Sequence, residues 1–181
     1  MTMLSKLFTT ERRMRILSSL LEKDTFGVEE VARELKISKG TVSSYLKELI
    51  EGGLVKKEGR RFRWADENAQ RELKREVNYW TLREKLISLK SDWIKALGVY
   101  GSFARGENRR DSDVDVWILV EEEDPLKVAE LHENLELLTG RKVDLMVLTK
   151  ERLNRLKVEN PYLYWNIKLS SLTIWGTLNE V

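Results

Sequence analysis

Along the first 65 residues the apolar positions recur at helical spacing, and beyond residue 90 they gather into short strand-like runs. Met14, Ile16, Leu17, Leu20 and Leu21 mark the buried stripe of a helix that Thr9 and Thr10 can cap and that extends to about Glu22. A second, short helix is expected over Val28–Leu35, with Val31, Ala32 and Leu35 inward. After the tight connection Lys36-Ile37-Ser38-Lys39-Gly40, the positions Val42, Tyr45, Leu46, Leu49 and Ile50 predict a third helix over 39–52. Past Gly52-Gly53, residues 54–64 alternate apolar and basic side chains around Glu58-Gly59, as a hairpin does.

Residues 66–90 are rich in charge and in helix formers. Leu73, Val77 and Trp80, then after a phase shift Leu82, Leu86 and Leu89, give one apolar stripe. One long helix or two would join the halves, pack on the sheet that follows, and could carry a homodimer contact. The lack of a Gly/Ser/Pro-rich linker makes this a stiff connection. Val99-Tyr100 and the run after Asp113 (Val114, Val116, Trp117, Ile118, Leu119, Val120) read as strands, as does the run around Asp144. Helices are expected over 125–138, with Gly140 as C-cap, over 150–157, and from Asn160-Pro161 onward, before a last strand at Leu172–Trp175. Tyr162, Tyr164 and Trp165 are assigned to core packing rather than to a base-stacking surface.

Charge changes this picture. The chain of 181 residues carries a formal net charge of +2, which hides an asymmetry. Residues 1–65 hold 14 Lys/Arg against 9 Asp/Glu, and residues 66–181 hold 18 against 21. A basic module joined to an acidic one suggests two kinds of partner, the first a nucleic acid. No run approaches the ~18 apolar residues of a membrane span. The start of the chain has Lys6, Arg12 and Arg13 but no apolar block, unlike a secretory signal. The expected compartment is the cytoplasm, with no membrane partner. There is no cysteine, which excludes disulfides and thiolate zinc sites. The single histidine, His132, falls in a helical segment and is read as a surface residue.

The chemistry concentrates at Gly101-Ser102-Phe103-Ala104-Arg105-Gly106 and Asp113-Val114-Asp115. On a strand, residues i and i+2 share a face, so Asp113 and Asp115 project side by side with ~7 Å between Cα atoms. Like charges this close disfavour each other's ionised form. A divalent cation removes the conflict, and Mg²⁺ takes carboxylate oxygens together with substrate phosphates. Asp144, a lone acid in an apolar run, can complete a three-acid cluster if the two strands are neighbours. Such a cluster suits metal-assisted, in-line phosphoryl displacement. Gly101 lets the backbone approach a phosphate, the Ser102 hydroxyl can donate to it, and Arg105 adds a forked cationic donor at a short helix.

Gly101-Ser102, ten residues, Asp113-Val114-Asp115, then Val143-Asp144-Leu145 resembles the DNA polymerase beta-type nucleotidyltransferase superfamily, and the run Gly-Ser-Phe-Ala-Arg-Gly-Glu looks like its minimal nucleotidyltransferases. The resemblance covers about residues 80–176. It implies a mixed sheet flanked by helices, ATP or another NTP as substrate, and Mg²⁺ or Mn²⁺ as cofactor. It also implies the three acids as metal ligands and catalytic residues, Gly101, Ser102 and Arg105 as nucleotide-binding residues, and for many members a HEPN-type toxin partner that they adenylylate as antitoxins. The N-terminal half departs from that pattern, since most such proteins begin almost directly with the catalytic strand.

The third helix presents Lys39, Thr41, Ser43, Ser44 and Lys47 opposite its apolar stripe, small polar and cationic groups that can enter a major groove. The hairpin adds Lys56, Lys57, Arg60, Arg61 and Arg63. Over about residues 8–65 this resembles the winged helix of bacterial and archaeal transcription regulators. Winged helices also dock proteins, form dimers or bind RNA, and the five hairpin cations favour duplex DNA. The fold class expected is α+β: a winged helix-turn-helix at 1–65, a helical connector at 66–90 and a nucleotidyltransferase domain at 91–181. The competing function is a transcription regulator whose nucleotidyltransferase fold senses nucleotide or docks a partner without turnover.

Overall fold

A computed structural model describes residues 7–178, which divide into two compact units at Lys74 and Arg75. In the first unit, helix α1 (Glu11–Leu21) starts where the Thr10 hydroxyl accepts the Arg13 N–H. A two-residue strand β1 (Thr25–Phe26) precedes α2 (Val28–Leu35) and α3 (Lys39–Glu51). The chain turns between these helices through Lys36 in the left-handed region, and Ser38 caps α3 by accepting the Thr41 N–H. The hairpin β2 (Val55–Glu58) and β3 (Arg61–Trp64) follows. Strand β1 pairs antiparallel with β3, giving the order β1-β3-β2. Sequence periodicity predicts the hairpin but not β1, because two residues are too short to show a period. Phe26 and Trp64 pack edge to face with centroids 6.1 Å apart, and the Trp64 indole N–H donates to the Leu20 carbonyl. The expected stripes hold with three corrections: Met14 and Leu35 are half-buried, and Ile50 is exposed.

Helix α4 (Glu67–Leu86) is one helix, closed by a 3-10 turn at Ile87–Leu89. The second unit is a four-stranded sheet, β6-β5-β4-β7, built from β4 (Ile94–Val99), β5 (Val114–Val120), β6 (Val143–Leu148) and β7 (Leu172–Trp175). Only β5 and β6 run parallel, joined by α6 (Pro125–Thr139). A short helix α5 (Gly101–Arg105) connects β4 to the loop before β5, and α7 (Lys150–Glu159) and α8 (Pro161–Ser170) follow β6. Both faces of the sheet are covered, which explains the continuous apolar strands. Val114, Val116, Ile118 and Val120 pack with Leu82 and Leu86 of α4 and Leu131 and Leu135 of α6. Trp117 and Leu119 face the other way, against Leu148, Leu153, Leu156 and Ile167. Gly98 pairs with Trp117 across β4 and β5, and a Cβ there would strike the indole ring.

Two expectations fail in this unit. Trp80 is 57% exposed, since the buried row of α4 runs through Asn78, Leu82 and Leu86, and two residues of helix place Trp80 about 160° from Leu82. Tyr162 is 81% exposed, and Trp165 is also exposed; of the three aromatics expected inside, only Tyr164 is buried. His132 is half-buried, with Nε2 3.0 Å from the Val143 carbonyl oxygen. No helix among the described residues is long and apolar enough to cross a membrane.

Candidate functional site

Parallel register sets the acids. Val114 pairs with Val143 and Asp115 with Asp144, so both carboxylates leave the same face of neighbouring strands. That face carries Trp117, Leu119, Met146 and Leu148 further along. Burial pushes the Asp115 carboxyl up, the Asp144 charge and the nearby Asp113 charge push it further, and the Arg105 guanidinium and the Ser102 N–H pull against them. Tyr100, immediately before the glycine, is raised to about 12 by burial first and then by Asp144 and Asp115.

The glycine-serine turn is built onto Asp115. Gly101 has φ 66°, and a Cβ there would collide with the Asp115 carboxylate. The Ser102 N–H donates to that carboxylate, and the Tyr100 N–H donates to the Asp115 carbonyl at 2.9 Å. Glycine is therefore required by the close approach of the Asp115 carboxylate. Arg105 donates through Nε to Glu107 at 2.7 Å while its charge still reaches Asp115.

Asp113 differs from expectation. Strand β5 begins at Val114, so Asp113 lies in the preceding turn, with its carboxylate 3.7 Å from Lys142 Nζ. Among the described residues no three metal-ligating side chains converge closely enough to hold an ion. The donors nonetheless suit a hard divalent cation: all three are carboxylate oxygens, and Asp115 and Asp144 carry the mutual repulsion that such an ion relieves.

Three features are absent from the sequence reading. A cleft of about 590 Å³ opens beside Asp144, with Tyr100, Met146, Leu148 and Leu156 on its walls and Arg152 and Arg155 at its edge. Arg152 is paired with Glu123 at 2.7 Å. Arg141 donates to the carbonyls of Arg110 at 2.6 Å and Ser112 at 3.2 Å, and its guanidinium lies over the Phe103 ring, so it holds the loop that delivers Asp113. Asn78 and Arg75 bond carbonyls of α5. None has a motif; a lone arginine after Gly140 or an asparagine in a charged helix carries no local signal.

In the first unit the polar face of α3 is formed by Lys39, Thr41, Ser43, Ser44 and Lys47, with Ser43, Ser44 and both lysines exposed. Thr41 is half-buried and shares a hydrogen bond with Ser38. Lys39 is ion-paired with Glu29, and Lys47 lies 3.9 Å from Glu51. In the hairpin Arg61 bonds Glu30 and the Thr25 carbonyl, and Arg63 lies 3.4 Å from Glu58. Lys56, Lys57 and Arg60 are exposed and face solvent. A recess of about 460 Å³ joins Thr41 and Ser44 to Thr10, Arg12 and Arg13.

Comparison with known proteins agrees with both halves. The nucleotidyltransferase domain family matches residues 81–168, and the arsR family of bacterial regulatory proteins matches residues 10–57. The protein adenylyltransferase MntA of Thermococcus cleftensis is 47% identical over 55 residues, 30% of this chain. That stretch spans about half of the Thermococcus relative, 56% of its length. A protein of Methanocaldococcus jannaschii named as a protein adenylyltransferase is 39% identical over 67 residues, 36% of this chain and 78% of that one. A crystal structure of a toxin-antitoxin with AMP-PNP aligns at 22% identity over 56% of this chain and 75% of that chain, with a TM-score of 0.40.

Proposed function

The chain belongs to the nucleotidyltransferase family, and from that premise we propose that it transfers AMP from ATP to a hydroxyl of a partner protein, with Mg²⁺ or Mn²⁺ as cofactor, while its N-terminal winged helix binds duplex DNA. The observation that carries the catalytic reading is the pairing of Asp115 with Asp144 across parallel strands, with the Gly101-Ser102 backbone seated on Asp115.

Asp113, Asp115 and Asp144 would hold the divalent cation, which supplies charge neutralisation to the triphosphate and to the attacking and leaving oxygens. Gly101 and Ser102 grip the triphosphate, the serine through its hydroxyl, and Arg105 assists from beside Asp115. Asp144 faces the cleft, where it accepts the proton of the acceptor hydroxyl as that oxygen attacks the α-phosphorus and pyrophosphate leaves. The names of the relatives favour a protein acceptor, and the minimal nucleotidyltransferase motif favours a HEPN-type toxin whose operon the protein would regulate as an antitoxin, from the cytoplasm and as a homodimer on its operator.

The test is label transfer. The protein is incubated with ATP labelled at the α-phosphate, Mg²⁺ and the product of the neighbouring gene, beside the Asp144→Asn variant. Label on the partner with wild type alone supports the reading. Nucleotide binding without any transfer would favour the sensor instead, and an equally active Asp144→Asn would displace the site.

A further inference from the structure

We propose that Asn78 is the positioning residue of the glycine-serine turn: from helix α4 it sets the geometry with which Gly101 and Ser102 receive the triphosphate. The proposal rests on the nucleotide-binding reading above. Helix α5 has five residues, Gly101–Arg105, too few to be stable alone, because nucleating a helix fixes several residues for its first hydrogen bond. It must be held from outside at both ends.

Its first end is tied to β5 through Tyr100 N–H and Ser102 N–H, both donating to Asp115. Its other end is tied to α4. The Asn78 side-chain amide donates to the Phe103 carbonyl at 2.9 Å and to Asn108 Oδ1 at 2.7 Å. The Arg75 Nε–H donates to the Ala104 carbonyl at 2.9 Å. A cationic donor at the final carbonyls of a helix also complements its dipole. The chain after α5 adds two bonds of its own: Ser102 O accepts from the Glu107 N–H at 2.9 Å, and Phe103 O also accepts from the Gly106 N–H at 3.3 Å. Asn78 and Asn108 are 9% and 2% exposed, so water does not replace these bonds when they open.

The residue type is informative. Asn78 continues the row of Leu82 and Leu86, which pack on the sheet. A leucine at 78 would extend that packing, whereas a buried amide is unfavourable unless its hydrogen bonds are made. Both amide protons of Asn78 are used, on the helix that carries Ser102 and on the loop that leads to Asp113. One side chain thus fixes the nucleotide-gripping turn relative to the loop bearing the first acid.

The experiment uses full-length protein, with Asn78→Leu and Arg75→Met as variants. Each is titrated calorimetrically with a non-hydrolysable ATP analogue and Mn²⁺, well below its Tm, and amide hydrogen exchange is followed over residues 101–108 without nucleotide. Asn78→Leu, measured where it is fully folded, should bind the analogue about tenfold more weakly, as loss of a buried hydrogen-bonded pair implies, and exchange its Ser102 and Phe103 amides faster. Arg75→Met should show a smaller loss of the same kind. Wild-type affinity in Asn78→Leu overturns the proposal, and so does a lowered Tm with affinity intact, which marks mere structural support. If Asn78→Leu does not fold, unchanged affinity and exchange in Arg75→Met overturns it. A wild-type protein that binds no analogue overturns the nucleotide-binding reading itself, a result seen before any variant is compared.

Discussion

Residue 101 sits at φ 66° with the Asp115 carboxylate where a Cβ would be. An alanine there meets two penalties, about 1–2 kcal/mol for the left-handed backbone and the displacement of the carboxylate. Gly101→Ala should therefore lower Tm by several degrees and abolish binding of the ATP analogue, both read in one calorimetric series; retained affinity would dissociate the turn from the nucleotide. Asp144→Asn should behave oppositely on stability. It removes the charge that, after burial, does most to push Asp115 up. Transfer should fall by about a thousandfold or more, as loss of metal-ion stabilisation implies, while Tm in chelator is equal to wild type or higher. A drop in that Tm would mean that Asp144 serves the fold. The motif made the acids and the glycine legible. What it could not show is that the glycine answers to Asp115, because that approach joins the start of α5 to β5 through a tertiary contact that no local pattern encodes. Asn78 and Arg141 were illegible for the same reason, since each acts on carbonyls at least 25 residues away.

Helix ends are more legible in sequence than helix faces. Thr10, Ser38, Asp124, Thr149 and Asn160 each accept a backbone N–H at an N-terminus. Capping is an interaction within four residues, which is why Thr10, Pro125, Asn160 and Gly140 are visible in sequence. Burial is decided by distant partners, and so periodicity alone places Trp80, Ile50 and Tyr162 inside although they are exposed. Asp124 offers a test at this scale. The Lys127 N–H, then the Leu126 N–H and the Lys127 charge, hold its carboxyl below the usual carboxylate range. A depressed folded value contributes stability that is present above the unfolded pKa and lost as pH falls through the folded one. Asp124→Ala should thus lower Tm at neutral pH, and the gap to wild type should close as the solution is acidified below that folded value. A gap that persists in strong acid would assign the effect to something other than the ionised cap.

For the whole molecule, the charge asymmetry between the halves has become spatially specific. Arg61, Arg63, Lys39 and Lys47 each have an acid beside them, whereas Lys56, Lys57 and Arg60 project from the hairpin into solvent. If the winged helix grips DNA, reversing those three to glutamate should weaken binding to every duplex alike and make the log–log salt slope shallower by about 2–3, close to one unit for each phosphate that is no longer neutralised. On the same reading Ser44→Ala should instead alter sequence preference, since a side chain on α3 would face base edges rather than phosphates. Electrophoretic shifts over salt and operator variants measure both. A triple reversal with undiminished affinity would remove the hairpin from the interface. Composition alone announced a basic module, but it could not say which cations were already spoken for by Glu29, Glu30, Glu51 and Glu58.

The register of β5 against β6 also constrains how this chain can change length over generations. Residues 121–124, between β5 and α6, lie outside both strands, so additions there leave Asp115 opposite Asp144. Deleting one residue inside β6 ahead of Asp144 would turn that acid to the opposite face, among the leucines of α6, and bring Leu145 out in its place. On the proposed function, a single-codon deletion in one short stretch, 143–144, would therefore cost activity, while an insertion at 121–123 that spares the Asp124 cap leaves the register of the two acids intact.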